Sequence, residues 1–103
     1  MLSVPQALEQ ILTTAQQLSY ANRRMLVKRD ILPAITALRL RTNDPTTPPL
    51  VVKSIGTMEA WANYIVANPL CWRVYAERLA AHSKSLRILA RVQTMGLSTV
   101  MRD

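Results

Sequence analysis

Apolar residues return every three or four positions along the start of the chain. Val4, Leu8, Ile11, Ala15 and Leu18, joined by Ala7, Leu12 and Leu26, fall on one stripe at helical spacing. They predict an amphipathic helix with Ser3 as N-cap and Pro5 in the first turn, where a missing N–H costs nothing. Tyr20, Arg24 and Lys28 ride the opposite face, which carries the helical reading into the basic stretch "NRRMLVKRDILPAITALRLR", residues 22–41. Pro33 is expected to kink that helix or to start a new one capped by Asp30, and "AITALRLR" continues to about residue 42.

The prolines at 45, 48 and 49 forbid a helix through "TNDPTTPPL" and predict a proline-rich loop at 43–50. Beyond it, Ser54 or Thr57 can cap a helix running through "MEAWANYIVAN". Asn68 and Pro69 read as the N-cap and first position of a long last helix, about 69–95, ended by Gly96. Its apolar arc holds Val74, Tyr75, Leu79, Leu86, Leu89 and Val92, together with Cys71 and His82. Arg73, Glu77, Lys84, Arg87 and Arg91 gather within about 80° on the other side. The expected fold is all-α: a single domain over 1–103, a small bundle of about four helices. A chain of this size buries only roughly two-thirds of its unfolded surface, so it is expected to gain from a partner subunit.

Composition changes the picture in one respect, which is charge. The 13 Lys and Arg against 6 Asp and Glu give a formal net charge of +7. Such an excess favours an anionic partner. The basic residues of the 22–41 stretch, Arg23, Arg24, Lys28, Arg29, Arg39 and Arg41, meet only Asp30 there, unlike the mixed-sign faces of ordinary solvated helices. Arg outnumbers Lys, and its planar fork suits phosphate.

Little else in the chain offers chemistry. Cys71 and His82 are the only residues of their types, and on one helix they stand about 16 Å apart, too far for a nucleophile and its base. Both are read as packed side chains. The two glycines, Gly56 and Gly96, make no phosphate loop, and no metal-ligand spacing occurs. No catalytic residue, metal, cofactor or small-molecule substrate is expected, and the protein is not expected to be an enzyme. The single cysteine fits a reducing compartment, and "MLSVPQALEQ" has neither a basic n-region nor a long apolar run. A cytoplasmic location without membrane association is the expectation.

Short motifs in the first third resemble the RNA-silencing suppressor of nodaviruses, a small helical protein that binds double-stranded RNA. "SVPQALEQI" (3–11), the pair Ser19–Tyr20 and "VKRDI" (27–31) carry the likeness, at separations that match an insect member of the family. The match covers about residues 3–31. It implies an antiparallel homodimer lying along one face of an RNA duplex in the host cell cytoplasm, binding without regard to sequence and suppressing host RNA silencing. Only Lys28 and Arg29 carry over directly as backbone contacts. Pro33 interrupts the stretch that runs unbroken in that family, and the aromatic second half has no counterpart in it.

The expected binding residues are therefore Arg23, Arg24, Lys28, Arg29, Arg39, Arg41 and Lys53. A second tier holds Gln17, Arg73, Lys84, Arg87 and Arg91, and Gln10 lies on the same side of the first helix as Gln17. Duplex RNA suits such a face, because its deep major groove hides the bases and leaves shape, phosphates and 2′-hydroxyls to be read. The alternative is a helical adaptor or oligomerisation domain for an acidic protein partner, of a viral phosphoprotein or phage assembly type. "WANYIVANPLCWRVY" is rich in interface residues, with Trp61 and Trp72 as its anchors. A membrane-surface helix is a weaker third reading, since the last helix has both an apolar and a basic face.

Overall fold

The computed structural model describes the backbone of residues 2–43 and 45–102 and the side chains of that set as far as Leu89. Helix α1, Val4–Gln17, opens where the sequence predicts. The Ser3 hydroxyl accepts from the Gln6 N–H (3.3 Å) and the Gln6 side chain accepts from the Ser3 N–H (3.0 Å), a reciprocal cap that supplies about 1 kcal/mol. After Gln17 the chain turns. Ser19 and Asn22 exchange side-chain to backbone bonds, and the Asn22 amide donates to the Gln17 carbonyl left open at the helix end.

The basic stretch forms one continuous rod: α2, Arg23–Leu26; a π-helical turn, Val27–Ile31; and α3, Leu32–Arg41. Pro33 sits in the first turn of α3, as its position suggested, but the cap there is Ile31 and not Asp30, and the helical run continues through it. In an α-helix its ring would press on the carbonyl four residues back and leave that group without a donor. The wider turn just ahead takes up the misfit, with the Leu32 N–H reaching the Val27 carbonyl five residues back. From α1, the Gln10 amide donates to the Asp30 carbonyl at 2.8 Å and ties the two elements together at this turn.

The prolines do end the rod, but α4 starts earlier than expected, at Pro49, and runs to Ala67. Proline at the first position is preorganised for a helix, so the loop ends inside its own proline pair. Thr57 is no cap; its hydroxyl donates to the Lys53 carbonyl within the helix. Asn68 closes α4 through its N–H to the Tyr64 carbonyl instead of opening the next helix. Helix α5, Trp72–Arg102, follows a short turn and passes through Gly96, where the sequence suggested an end.

Around the bundle the order is rod, α1, α5, α4. The rod and α5 each pack against both α1 and α4, and they face one another diagonally across the core. Ile11, Val27, Ile31, Ile35, Met58, Ile65 and Leu79 are fully buried between the rods, each contributing roughly 1.5–3 kcal/mol by leaving water. Leu79 closes the core from the α5 side. These side chains come from all four rods of a single chain. Trp61, Trp72 and Tyr75 pack partly buried against the same core. Among the described residues no helix is long and apolar enough to cross a membrane.

A core assembled this way predicts a sharp contrast in urea denaturation. Ile35→Ala, in the rod's buried face, should cost about 2–5 kcal/mol of unfolding free energy. Val52→Ala, on the exposed side of α4, should change it by less than about 0.5 kcal/mol.

Candidate nucleic-acid interface

Burial divides the predicted cations into different kinds. Arg23 is the clearest correction: it is only 5% exposed. Its Nε donates to the Ile65 carbonyl at 3.1 Å and its Nη1 to the Tyr20 carbonyl at 2.7 Å, while the guanidinium lies 4.6 Å over the Tyr20 ring. Ile65 stands in the last turn of α4, whose carbonyls lack helical donors, and a cation there also meets the negative end of the helix dipole. Arg23 is a structural tie and is not available to a phosphate.

Three further arginines are held by carboxylates. Arg29 pairs with Asp30 at 2.9 Å, and the hydrogen bond and charge of that neighbour raise the guanidinium above its ordinary pKa. Arg39 makes a two-pronged contact with Glu59 of α4, at 2.7 and 3.1 Å. Arg87 of α5 pairs with Glu9 of α1. These pairs are exposed and screened by solvent, so they add little to stability. Their larger effect is to cancel positive field where the sequence suggested it would accumulate. Arg41 donates to the Leu2 carbonyl at 3.3 Å, which engages its side chain without neutralising it.

What remains open on the rod is Arg24 and Lys28. Both are exposed, about one turn apart on a helix continuous with the core. Neither makes an ion pair or a side-chain hydrogen bond among the described residues. Lys53 is exposed on α4 and Lys84 on α5, and Gln17 is exposed at the end of α1. Gln10 is spent on the rod and is not free for a ribose hydroxyl. The side chains of Arg91 and Val92 lie outside the described part.

The two basic stripes of the sequence do not merge. Because the rod and α5 sit diagonally, their outward faces point away from each other. The α1–α2 turn and the end of α4 meet at one pole of the bundle, through Arg23 and the Ile65 carbonyl. There Arg73 stacks over Trp72 (5.4 Å) and Arg78 over Tyr75 (5.7 Å), and Tyr75 packs on Tyr64 with ring centroids 5.1 Å apart. Arg78 escaped the sequence reading, and Tyr20 and Tyr64 are absent from the binding set that reading gives. A signal was present: the chain has no Asp or Glu between Glu9 and Asp30, nor between Glu59 and Glu77, and those are the segments that build this pole.

Cys71 and His82 also separate. Cys71 is exposed in the α4–α5 turn and is no buried thiol. His82 lies partly buried on α5, its ring edge-on to Trp61 at 5.4 Å.

Arg23 and Arg24, adjacent in sequence, should respond differently to substitution. Arg23→Gln leaves buried carbonyls unpaired and should lower unfolding free energy by about 1–3 kcal/mol. Arg24→Gln should leave it within about 0.5 kcal/mol, as thermal unfolding followed by circular dichroism will show.

No family model, no curated protein and no solved structure matches this chain, so the surface must be read from its own chemistry.

Proposed function

We propose that the protein binds the phosphate backbone of double-stranded RNA without reading its sequence. Arg24 and Lys28 are the principal contacts, with Lys53 and Arg41 as outlying ones. The observation that carries this reading is the unpaired state of Arg24 and Lys28 on a rigid rod, in a chain of net charge +7. Duplex affinity is dominated by phosphates neutralised by Lys and Arg, and a helix that fixes their spacing loses little entropy in making those contacts. A-form RNA offers its phosphates and shallow minor groove to a straight helical surface. The nodavirus resemblance supports the same class of ligand, and Lys28 lies within it. Suppression of RNA silencing, by shielding duplexes from processing, is the role that such binding would serve in a viral protein. Trp61 and Trp72, the expected anchors of the adaptor reading, are partly buried against the core, which favours the nucleic-acid reading.

Fluorescence anisotropy with a labelled RNA duplex of about 25 base pairs tests the reading. Arg24→Glu and Lys28→Glu should each weaken binding by about tenfold or more while helicity is retained, and should lower the log–log salt slope by about one. Asp30→Asn should act in the opposite direction, tightening binding several-fold by releasing Arg29. Equal affinity for duplex RNA, duplex DNA and a simple polyanion would overturn the proposal.

A further inference from the structure

The pole where the α1–α2 and α4–α5 turns meet differs from the rest of the surface in composition and geometry. All three arginine–aromatic stacks of the described structure lie here: Arg23 on Tyr20, Arg73 on Trp72 and Arg78 on Tyr75. They are linked in space. Arg23 bridges the Tyr20 and Ile65 carbonyls, Tyr64 precedes Ile65 on α4, and Tyr64 packs on Tyr75 across to α5. Arg24 adjoins the group on the rod side, where it has no partner among the described residues.

Two rings in this chain of contacts are unfinished. Tyr20 has one face against the Arg23 guanidinium and is 62% exposed. Tyr64 packs against Tyr75 and is 47% exposed. Such a ring is fixed in orientation by its inner neighbour and offers an outer surface to a flat ligand. Base stacking on a fixed aromatic platform, with arginines beside it for phosphate, is how proteins hold unpaired nucleotides. Phosphates along a duplex would not reward these rings, because the bases of a duplex are stacked on each other.

We propose that this pole binds unpaired nucleotides, with Tyr20 and Tyr64 as stacking platforms and Arg24, Arg73 and Arg78 as phosphate contacts. The inference deepens the duplex reading. It places a single-stranded extension of the RNA at the end of the bundle while the duplex lies along the rod, with Arg24 at the junction. Arg23 takes no part in contact; it fixes the Tyr20 ring from behind.

Two RNAs that differ only at one end test this. One is a blunt duplex of about 25 base pairs, and the other carries a single-stranded extension of about six nucleotides. Anisotropy should show the extended RNA bound about tenfold tighter, the size expected for stacking one or two bases. Tyr64→Leu, which keeps apolar bulk against Tyr75, should remove most of that gain and leave blunt-duplex affinity unchanged. Tyr20→Leu should act likewise, with circular dichroism confirming the fold. Equal affinity for the two RNAs, or a gain that survives both substitutions, would overturn the inference and leave the duplex reading standing. Binding of the free single strand without binding of the blunt duplex would support the pole and overturn the duplex reading. Self-association lost in Tyr64→Leu, with no gain from the extension, would make the pole a protein contact and overturn the inference.

Discussion

The buried guanidinium of Arg23 ties the first half of the chain to the second. It reaches from the beginning of the rod to the last turn of α4, joining the Tyr20 and Ile65 carbonyls through one planar group. Burying a cation is expensive unless its donors are met, and here backbone carbonyls at a turn and a helix end meet them. That requirement sets the position of α4 against the rod and, through the short turn after Asn68, the start of α5. The Tyr20 ring over the guanidinium belongs to the same arrangement, which makes the most basic part of the sequence partly an interior feature.

The rod is the second constraint. A proline in the middle of a helical segment would normally end or bend it, and a bent rod would split the exposed cations into two short surfaces. The π turn over Val27–Ile31 accommodates Pro33 and keeps the helical run unbroken from Arg23 to Arg41. Gln10 braces the turn from α1. The consequence for function is direct: Lys28 lies inside that turn and Arg24 just ahead of it, so their relative placement depends on the device that makes the proline tolerable.

Electrostatic pairing then selects among the cations. The carboxylates that pair, Glu9, Asp30 and Glu59, sit beside Arg87, Arg29 and Arg39 and cancel field along the sides of the bundle. Positive charge is left where carboxylates are missing from the sequence, at the turn pole and the adjoining end of the rod. A short-range phosphate contact needs an unpaired, exposed cation, and net charge alone does not say where one is.

Much of this was legible in the chain. The Ser3 cap, the buried stripe through Leu8, Ile11 and Ala15, the proline break and the all-helical class follow from local propensity and periodicity, which act over a few residues. Helix ends were less legible. Asn68 and Pro49 each carry a signal that fits a start or a stop, and the packing of α4 on the core decided between them, while Gly96 lies inside a helix that runs on past it. The candidate site was least legible, because Arg23 and Arg24 differ in role by one position of helical rotation. The sequence by itself determined a net positive helical bundle and the segments from which carboxylates are absent. Only the tertiary structure decided which cations are buried, paired or free, since that depends on which side chains from distant segments come within a few ångströms of each other.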